Sequence, residues 1–338
     1  MQKKYTLVTG GAGYIGSHMA GMLIEAGRNV VIFDNLSTGV KPWLPKGAKF
    51  VKGDLLADGA IGKVFEKYPI SEVIHFAAKI VVPESICKPE LYYRNNVGGT
   101  ANLLSAMVQH KVRRIVFSST AAVYGNPTKV PVTEDDPTLP LSPYGTSKLM
   151  VEKILQDMAQ AGSIDFIALR YFNVAGWDTR RAWPIKGRPI PTHLISNAMK
   201  ALHGWDKLTV CGKDYKTHDG TGVRDFIHVV DLAQAHLLAL KAMHKGIKNQ
   251  VFNLGNGNGF SVLDVIKEAS LVAGKQVPHT IGPRRLGDVA IVVASSEKAK
   301  RILGWKPQYN LKAILESEWG RCLFNISLAR VPAKKVLS

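Results

Sequence analysis

The chain has 338 residues, 46% of them hydrophobic, and its 44 basic and 26 acidic side chains leave a net charge of +18. This length suits a large α/β domain with a smaller second lobe, and no apolar run is long enough to span a membrane. The charge favours anionic partners, but the basic residues are spread along the chain without a long run or a nucleic-acid motif. We therefore expect neither a nucleic-acid nor a membrane partner.

Apolar stretches of strand character alternate with helical segments through the first half of the chain. The stretches that predict strands read YTLVTG, VVIFD, FVKGD, EVIHFAA, RRIVFSST and DFIALRY. Segments 14–27, 91–110 and 143–161 are long enough for crossover helices. Strands that are buried on both faces and joined by helices predict an α/β fold with a Rossmann-type, doubly wound parallel sheet.

The second half of the chain has shorter strands and longer loops. We expect residues 1–172, with returning segments at about 215–255, to form a Rossmann domain that binds a dinucleotide. Residues 173–330 are expected to form mainly a smaller C-terminal α/β lobe for the substrate, and 331–338 a basic tail. No internal repeat suggests another arrangement.

The cysteines and the first residues bear on the compartment. Cys87, Cys211 and Cys322 are scattered and lack the spacing of a metal site. The first strand is predicted to begin at once, which leaves no room for a signal sequence before it. These observations favour reduced thiols, a cytoplasmic location and no metal.

A glycine-rich turn follows the first predicted strand. Gly11, Gly13 and Gly16 have the spacing G-x-G-x-x-G, and with Gly10 in place of Gly11 the spacing becomes G-x-x-G-x-x-G. Such glycines allow a tight turn and close approach of a pyrophosphate to a helix N-terminus. Asp34 ends the next strand, where a carboxylate accepts hydrogen bonds from an adenosine ribose and disfavours a 2′-phosphate. The pattern predicts NAD rather than NADP.

Asp54 closes the third predicted strand, directly after Gly53. At this position a carboxylate could read the edge of the adenine. It could equally cap a following helix, since aspartate is a preferred N-cap residue. The sequence leaves both interpretations open.

Hydroxyl groups follow a central predicted strand. Ser118, Ser119 and Thr120 stand at its carboxyl end, which is where sheets of this class bind ligands. A hydroxyl at this position can hold the reacting group of a substrate next to the nicotinamide.

A helix that starts with a tyrosine supplies the remaining groups. Ser142 and Pro143 predict the start of this helix, which places Tyr144 in its first turn and Lys148 one turn later on the same face. The ammonium and the positive helix end are expected to lower the pKa of Tyr144, making it a base. Together with Thr120, these two side chains form an acid–base constellation.

These motifs identify the chain as similar to the extended short-chain dehydrogenase/reductases, and among them to the nucleotide-sugar 4-epimerases. The resemblance runs from Thr9 to about Ala294. It rests on TGGAGYIGSH, DNLSTG, VIHFAA, VVPES, YYRNNVGGT, FSSTAAVYG, SPYGTSKLMVE, LRYFNVAG, GTGVRDFIHVVDLA, FNLGNGNGFSVLDVI and RRLGD. It implies an NAD-containing isomerase that interconverts UDP-glucose and UDP-galactose through a transient 4-keto sugar. It also implies a homodimer formed through helices near 91–110 and 143–161.

The resemblance assigns roles to individual residues. Tyr144 would be the base and acid, Lys148 would lower its pKa and hold the nicotinamide ribose, and Thr120 would bond to the sugar's O4. The implied NAD contacts are Gly10, Gly13, Tyr14, Ile15, Gly16, Asp34, Asn35, Leu36, Thr38, Gly39, Asp54, Leu55, Phe76, Ala77, Ala78, Asn96, Ser118, Ser119, Tyr144, Lys148 and Tyr171. The implied UDP-sugar contacts are Thr120, Asn173, His193, Leu194, Thr209, Cys211, Arg224, Arg285, Asp288 and Val292.

Some positions leave the choice of substrate open. Val292 stands where narrow-specificity relatives carry a tyrosine, which predicts a pocket wide enough for N-acetylated UDP-hexosamines. A UDP-uronate or UDP-pentose 4-epimerase shares the same C4 chemistry. A 4,6-dehydratase would need Asp-Glu after the strand-end hydroxyl, where this chain has Ala121 and Ala122. A non-catalytic NAD-sensing regulator, the alternative from another class, predicts a damaged catalytic set, whereas Thr120, Tyr144 and Lys148 are intact.

Overall fold

A computed structural model describes residues 3–181, 193–285 and 287–329, the last range without the side chains of 322–329. Its strands are β1 (Tyr5–Thr9), β2 (Asn29–Asp34), β3 (Lys49–Lys52), β4 (Ile70–His75), β5 (Arg114–Thr120), β6 (Asp165–Tyr171), β7 (Asn173–Ala175), β8 (Leu208–Cys211), β9 (Val223–His228), β10 (Gln250–Leu254), β11 (Gly259–Ser261), β12 (His279–Gly282) and β13 (Ile291–Val292). The predicted basic tail, 331–338, lies outside the described residues.

Helices connect most of these strands. They are α1 (Tyr14–Glu25), α2 (Gly62–Lys67), α3 (Val82–Cys87), α4 (Pro89–Tyr92), α5 (Gly99–Gln109), α6 (Pro143–Gln160), α7 (Leu194–Leu202), α8 (Val229–His244), α9 (Val262–Ala273), α10 (Glu297–Leu303) and α11 (Leu311–Ala329). Short 3₁₀ segments occur at Lys41–Trp43 and Ala121–Tyr124, and a π-helical segment at Tyr93–Gly98 joins α4 to α5. Among the helices of the described ranges, none is long and apolar enough to cross a bilayer.

The large sheet is parallel throughout, with strand order β10-β6-β5-β4-β1-β2-β3. One of its faces packs on α1 and α8, where Leu23 and Leu240 are fully buried. The other face packs on α5 and α6, through Met107 and Leu155 among others. The predicted α/β fold with a doubly wound parallel sheet is confirmed. Because its strands are parallel, their carboxyl ends all lie at one edge.

The second lobe is built on two small sheets. One has the order β11-β9-β13, with β7 also paired to β9, and the other pairs β12 with β8. Their core includes Ile195 of α7, Val265 of α9 and Ile314 of α11, all with no exposed surface. This lobe faces the carboxyl ends of the large sheet through β7, which follows β6 after a single residue.

The chain returns to the large sheet after entering the second lobe. Within the predicted returning segment, 215–255, helix α8 packs on α1 and strand β10 pairs with β6. Strand β9 belongs instead to the small sheet, where its neighbours are β7, β11 and β13. The predicted segment therefore begins too early. The chain rejoins the large sheet only at α8, the apolar crossover helix that connects β9 to β10.

Candidate active site

The glycine turn between β1 and α1 fits a pyrophosphate. Gly10 has a left-handed φ of 69°, and a Cβ there would lie 2.6 Å from the backbone nitrogen of Ala77. A Cβ at Gly16 would collide with the carbonyl oxygen of Gly10. Side chains at either position would therefore force the backbone of this turn apart. Helix α1 begins here without a side-chain cap, so its first N–H groups remain available to an anion.

Asp34 stands at the carboxyl end of β2 and is held by the backbone. Its Oδ2 accepts a hydrogen bond from the amide of Ala12 at 3.0 Å, and its Oδ1 accepts one from Leu36 at 2.8 Å. Burial raises the pKa of this carboxyl, and the two backbone bonds act against the rise. Gly39 is required beside it, because a Cβ there would lie 2.7 Å from Oδ1 of Asp34.

Asp54 forms the next part of the rim, after β3. Its Oδ2 accepts a hydrogen bond from Asn35 Nδ2 at 2.9 Å, and its Oδ1 accepts one from the amide of Leu56 at 2.8 Å. The sequence left open whether Asp54 caps a helix or reads the edge of the adenine. Asp54 caps only the turn at Leu56 and no helix, since α2 does not begin until Gly62. The carboxylate is thus fixed at the mouth of the cleft.

A cleft with a cavity volume of about 190 Å³ runs along the carboxyl ends of the large sheet. It is lined by most of the residues predicted to contact NAD: Gly10, Gly13, Tyr14, Ile15, Gly16, Asp34, Asn35, Thr38, Asp54, Leu55, Phe76, Ala77, Ala78, Ser118, Tyr144, Lys148 and Tyr171. Lining residues outside the predicted set are Phe33, Ser37, Gly53, Lys79, Ile80 and Asn95. Each is within two positions of a predicted residue.

Four predicted cofactor residues, Leu36, Gly39, Asn96 and Ser119, do not line the cleft. Leu36 and Gly39 support Asp34, as described above. Asn96 lies in the π-helical segment and bonds both the amide and the carbonyl of Lys79, at 2.8 and 3.0 Å, and the hydroxyl of Ser147 at 3.0 Å. It therefore ties the wall of the cleft to α6. The hydroxyl of Ser119 points away from the cleft and donates to Glu152.

Helix α6 brings Tyr144 next to the end of β5. Ser142 caps the helix, its hydroxyl accepting a hydrogen bond from the amide of Gly145 at 3.2 Å. A Cβ at Gly145 would lie 2.6 Å from the carbonyl oxygen of Ala122, so a glycine is needed for this close packing. The hydroxyl of Thr120 accepts from the amide of Ala122 at 3.1 Å and also bonds the Tyr144 phenol.

Lys148 is buried beneath Tyr144, with 3% of its surface exposed. Its Nζ donates to the carbonyl oxygen of Ser118 at 2.8 Å and lies over the ring of Phe117 at 4.9 Å from the ring centre. The hydroxyl of Ser118 bonds the phenol of Tyr171 on the neighbouring strand. The structure thus brings Thr120, Tyr144 and Lys148 together at one edge of the cleft.

The pKa of Tyr144 differs from the sequence-based expectation. Burial raises the pKa of its phenol, and the hydrogen bond with Thr120 acts in the opposite direction. Lys148 was expected to lower this pKa, but its ammonium is engaged by Ser118. Burial lowers the pKa of Lys148 itself to about 7, although the carboxylate of Glu152 acts in the opposite direction. The expectation was wrong because the spacing of residues does not reveal how far a group is removed from water.

The predicted substrate residues lie on the second lobe. Arg224 of β9 is in register with Val292 of β13, and its Nη2 is 3.8 Å from Oδ1 of Asp288. Val292 is buried beside Phe172 and Val289. These residues place a cation, a carboxylate and a small apolar side chain on one surface.

A second group of predicted substrate residues surrounds β8. Thr209 and Cys211 are on this strand, and the guanidinium of the exposed Arg285 is 3.6 Å from the Sγ of Cys211. Asn173 is exposed at the start of β7, next to the end of the large sheet. An exposed cation, that of Arg285, is thus available in addition to the partly buried guanidinium of Arg224.

His193 and Leu194 stand at the start of α7. The imidazole of His193 caps this helix: its Nδ1 accepts from the amide of Ser196 at 3.4 Å, and its Nε2 is 3.1 Å from the Ser196 hydroxyl. Burial lowers the pKa of His193 to about 4, so the ring is neutral at physiological pH. Leu194 is partly buried against the lobe's core. The capping role was not anticipated from the sequence.

One cluster among the described residues brings three metal-binding side chains within 4.8 Å, namely His218, Asp219 and Asp264. Their carboxylates already have structural partners: Asp264 forms a capping box with Ser261, and Asp219 accepts from the amide of Thr221 at 2.8 Å. The expectation of no metal remains a prediction.

Comparison with known proteins places this architecture in a family. A model of the NAD dependent epimerase/dehydratase family matches residues 6–255. The UDP-glucose 4-epimerase of Lacticaseibacillus casei is 46% identical over 314 residues, covering 92% of this chain and 95% of that protein.

Solved structures agree with this comparison. The UDP-glucose-4-epimerase from Stenotrophomonas maltophila, with bound NAD and formylated UDP-arabinopyranose, has a TM-score of 0.90 at 38% identity, covering 96% of this chain and 99% of that one. The UDP-glucose 4-epimerase from Bifidobacterium longum, in complex with NAD+ and UDP, has a TM-score of 0.88 at 40% identity, covering 95% and 99%. The chain therefore belongs to the NAD dependent epimerase/dehydratase family, and the predicted resemblance to nucleotide-sugar 4-epimerases is confirmed.

Proposed function

We propose that this enzyme interconverts UDP-glucose and UDP-galactose by inverting C4 of the sugar, with NAD as a bound cofactor. The observation that carries the proposal is the gathering of Thr120, Tyr144 and Lys148 at the carboxyl end of the large sheet, against the glycine cradle. The relative from L. casei, 46% identical over almost its whole length, is named for this activity.

The residues of the cleft fit NAD. The turn at Gly10 and Gly16 tolerates no side chains, as in turns that bind a pyrophosphate, and the carboxylate of Asp34 suits a ribose without a 2′-phosphate. Lys148 and Tyr171 line the end of the cleft nearest Thr120 and would hold the nicotinamide half. When bound, NAD supplies a reversible two-electron acceptor for the C4–H bond and, in its oxidised form, a positive charge.

Tyr144 would move the proton of the sugar's C4 hydroxyl. Thr120 holds the phenol by a hydrogen bond and would orient O4 toward it. As a phenolate, Tyr144 accepts this proton while C4 becomes a ketone, and it returns the proton after the sugar has turned to present its other face. Positioned acid–base groups of this kind contribute about 10²- to 10⁴-fold to rate.

Arg224 and Arg285 would grip the diphosphate of the substrate. Guanidinium groups are permanently charged and match phosphate oxygens with paired N–H donors. Both arginines lie on the second lobe, whereas Thr120, Tyr144 and Lys148 lie on β5 and α6. This separation would let the UDP stay bound while the keto sugar turns about its linkage to the diphosphate.

We also propose that the sugar site accepts N-acetylated UDP-hexosamines. Val292, with 8% of its surface exposed, packs beside Phe172 and leaves no aromatic ring at the position where the family's narrow-specificity members have one. An N-acetyl group adds volume to the hexose, which a valine accommodates more easily than a tyrosine.

The function is tested by following the C4 configuration by NMR with UDP-glucose, UDP-galactose, their N-acetyl forms and UDP-glucuronate. We expect the first pair to interconvert, and deuterium placed at C4 to be retained in the product. Turnover of UDP-glucuronate alone would favour the uronate epimerase, and a 4-keto-6-deoxy product would favour a dehydratase. NAD binding without turnover of any of these sugars would favour the non-catalytic regulator.

We propose that the enzyme is a homodimer joined through α5 and α6. Their outer faces expose Val108 and Met150, large apolar side chains with 43% and 44% of their surface accessible. Light scattering should give twice the mass of one chain, and Met150→Glu should shift it toward the monomer. A monomeric wild-type protein would contradict this proposal.

A cytoplasmic location also remains our proposal. Cys87 and Cys211 are free thiols in the structure, as is usual for proteins of a reducing compartment. Localisation of a fluorescently tagged chain in its own cells would test this, and an extracellular signal would refute it.

A further inference from the structure

A buried ion pair lies directly behind the proposed catalytic groups. Glu152 follows Lys148 by one turn of α6 and has 1% of its surface exposed, while Arg170 of β6 has 5%. The guanidinium is bound in a fork, with Nη2 to Oε2 at 2.6 Å and Nε to Oε1 at 3.0 Å. The hydroxyl of Ser119 donates to the same carboxylate. None of these three residues has a part in the chemistry described above.

The pair is fixed on its other side as well. Arg170 Nη1 donates to the phenol oxygen of Tyr124 at 2.9 Å, and Tyr124 donates to Oδ1 of Asn253 at 2.7 Å. These bonds connect α6, the ends of β5 and β6, the 3₁₀ segment and β10. Since every member is buried and bonded, the network leaves little freedom at this end of the sheet.

The network meets the catalytic groups at two points. Ser119 lies between Ser118, whose carbonyl holds Lys148, and Thr120, whose hydroxyl bonds Tyr144. Glu152 lies on the same face of α6 as Lys148, one turn along. A shift of the Glu152 carboxylate would therefore move the strand end and the helix relative to each other.

A contribution to the stability of the fold does not by itself explain why this buried ion pair is present. Two buried charges lose their hydration, and apolar residues of similar volume often serve a fold equally well. The molecule contains a natural comparison nearer the amino ends of the strands of the large sheet, on β4. Glu72, also 1% exposed, accepts a hydrogen bond from the Thr6 hydroxyl at 2.7 Å and pairs with Arg28. Its Oε2 also lies 2.7 Å from Nε2 of His244. This second carboxylate thus shares a hydroxyl and a guanidinium partner with Glu152 but does not belong to the residues that line the cleft.

We propose that Glu152, held by Arg170 and Ser119, is a positioning residue that fixes Thr120, Tyr144 and Lys148 relative to one another. The proposal rests on the proposed function, because it assigns Glu152 a task in that reaction. It is supported electrostatically, since burial lowers the pKa of Lys148 to about 7 and the negative charge of Glu152 acts against that fall.

The test compares Glu152→Gln with Glu72→Gln. Removing the charge at Glu152 lowers the pKa of Lys148 further, so the ammonium is lost at a lower pH. We expect the alkaline limb of the kcat profile to move down by about one pH unit, a tenfold change in proton affinity. We also expect kcat to fall about tenfold or more with little change in KM. Glu72→Gln should lower the melting temperature while leaving the pH profile and kcat unchanged.

A second measurement does not require turnover. The rate at which acetic anhydride acylates Lys148, mapped by mass spectrometry across pH in the protein without added ligands, reports the pKa of its amine. The midpoint should fall by about one unit in Glu152→Gln and stay in place in Glu72→Gln. Glu152→Asp, which keeps the charge but shortens its reach, should preserve the midpoint and still lower kcat. Glu152→Asp also provides the test of the positioning role if Glu152→Gln fails to fold.

The two possible failures can be told apart. If the wild-type chain does not invert C4 of any UDP-sugar, the proposed function fails, whatever the acylation shows. If it does, but the midpoint and the pH profile of the Glu152 variants match those of wild type, Glu152 is only structural and the positioning role is wrong. Equal effects in the Glu152 and Glu72 variants would overturn it in the same way.

Discussion

The two halves of the candidate site differ in how firmly their side chains are held. At the end of the large sheet, Lys148 and Thr120 are buried and bonded to neighbouring groups. On the second lobe, Arg285 and Asp288 are exposed, and Arg224 approaches Asp288 only to 3.8 Å. Proton transfer depends on distances set in advance, whereas gripping a flexible diphosphate tolerates side chains that adjust. The comparison predicts that variants of the first half change kcat and variants of the second change KM.

Tyr144→Phe should have the largest effect. It removes only the phenol oxygen, so we expect kcat to fall by about 10²- to 10⁴-fold with KM nearly unchanged. The fold should persist, since the ring still fills its place at the start of α6. A coupled assay for UDP-glucose formation measures the change, and circular dichroism checks the fold. A variant with a tenth or more of the normal kcat would remove Tyr144 from the mechanism.

Arg224→Ala should have the next largest effect, on KM. Loss of a charged donor to the diphosphate costs about 1.5–3 kcal/mol, which is about 10- to 150-fold in affinity. Arg284→Ala is the matched control, because this exposed arginine of the same lobe is occupied by Asp214 at 2.6 Å. If both variants raise KM equally, or if Arg224→Ala lowers kcat alone, the division of the site into two halves is wrong.

Val292→Tyr should have the smallest effect and tests the width of the sugar site. A larger ring beside Phe172 should lower kcat/KM for UDP-N-acetylgalactosamine several-fold more than that for UDP-galactose, since a misfitting group of this size costs about 1–3 kcal/mol. Val289→Leu, a partly buried neighbour of the same apolar cluster, controls for changes in packing. An unchanged ratio of the two substrates would refute the role of Val292.

The local patterns predicted more of the large sheet than of the site's internal contacts. Alternating apolar runs and helices located β1, β2 and their neighbours because each such strand is buried on both faces. The location of β9 in the small sheet was not predictable in the same way, since its pairing depends on segments distant in sequence. The contacts of Glu152 were missed for a similar reason: Arg170 and Ser119 lie on other elements, and only the folded chain brings them together.

For residues in the family motifs, the sequence predicted positions better than pKa values and hydrogen-bond partners. The position of Tyr144 follows from its helix start, but the direction of its pKa shift depends on burial, which the sequence does not show. His193 stands at a position where the resemblance implies a substrate contact, yet its ring bonds Ser196 of its own helix. Spacing thus predicted which side chains meet, while solvation and competing bonds were established by the fold.

The return of the chain to the large sheet has a consequence for its synthesis. Strand β10 pairs with β6, although the strands β7, β8 and β9 of the other lobe lie between them along the chain. A nascent chain released only as far as β6 would expose the backbone of that strand as an open edge, a template for association with other chains. The core of the second lobe is also incomplete until α11 has been synthesised, since that core includes Ile314. The large sheet is complete only after β10 has emerged, and ribosome-bound intermediates of this protein should depend on chaperones until then.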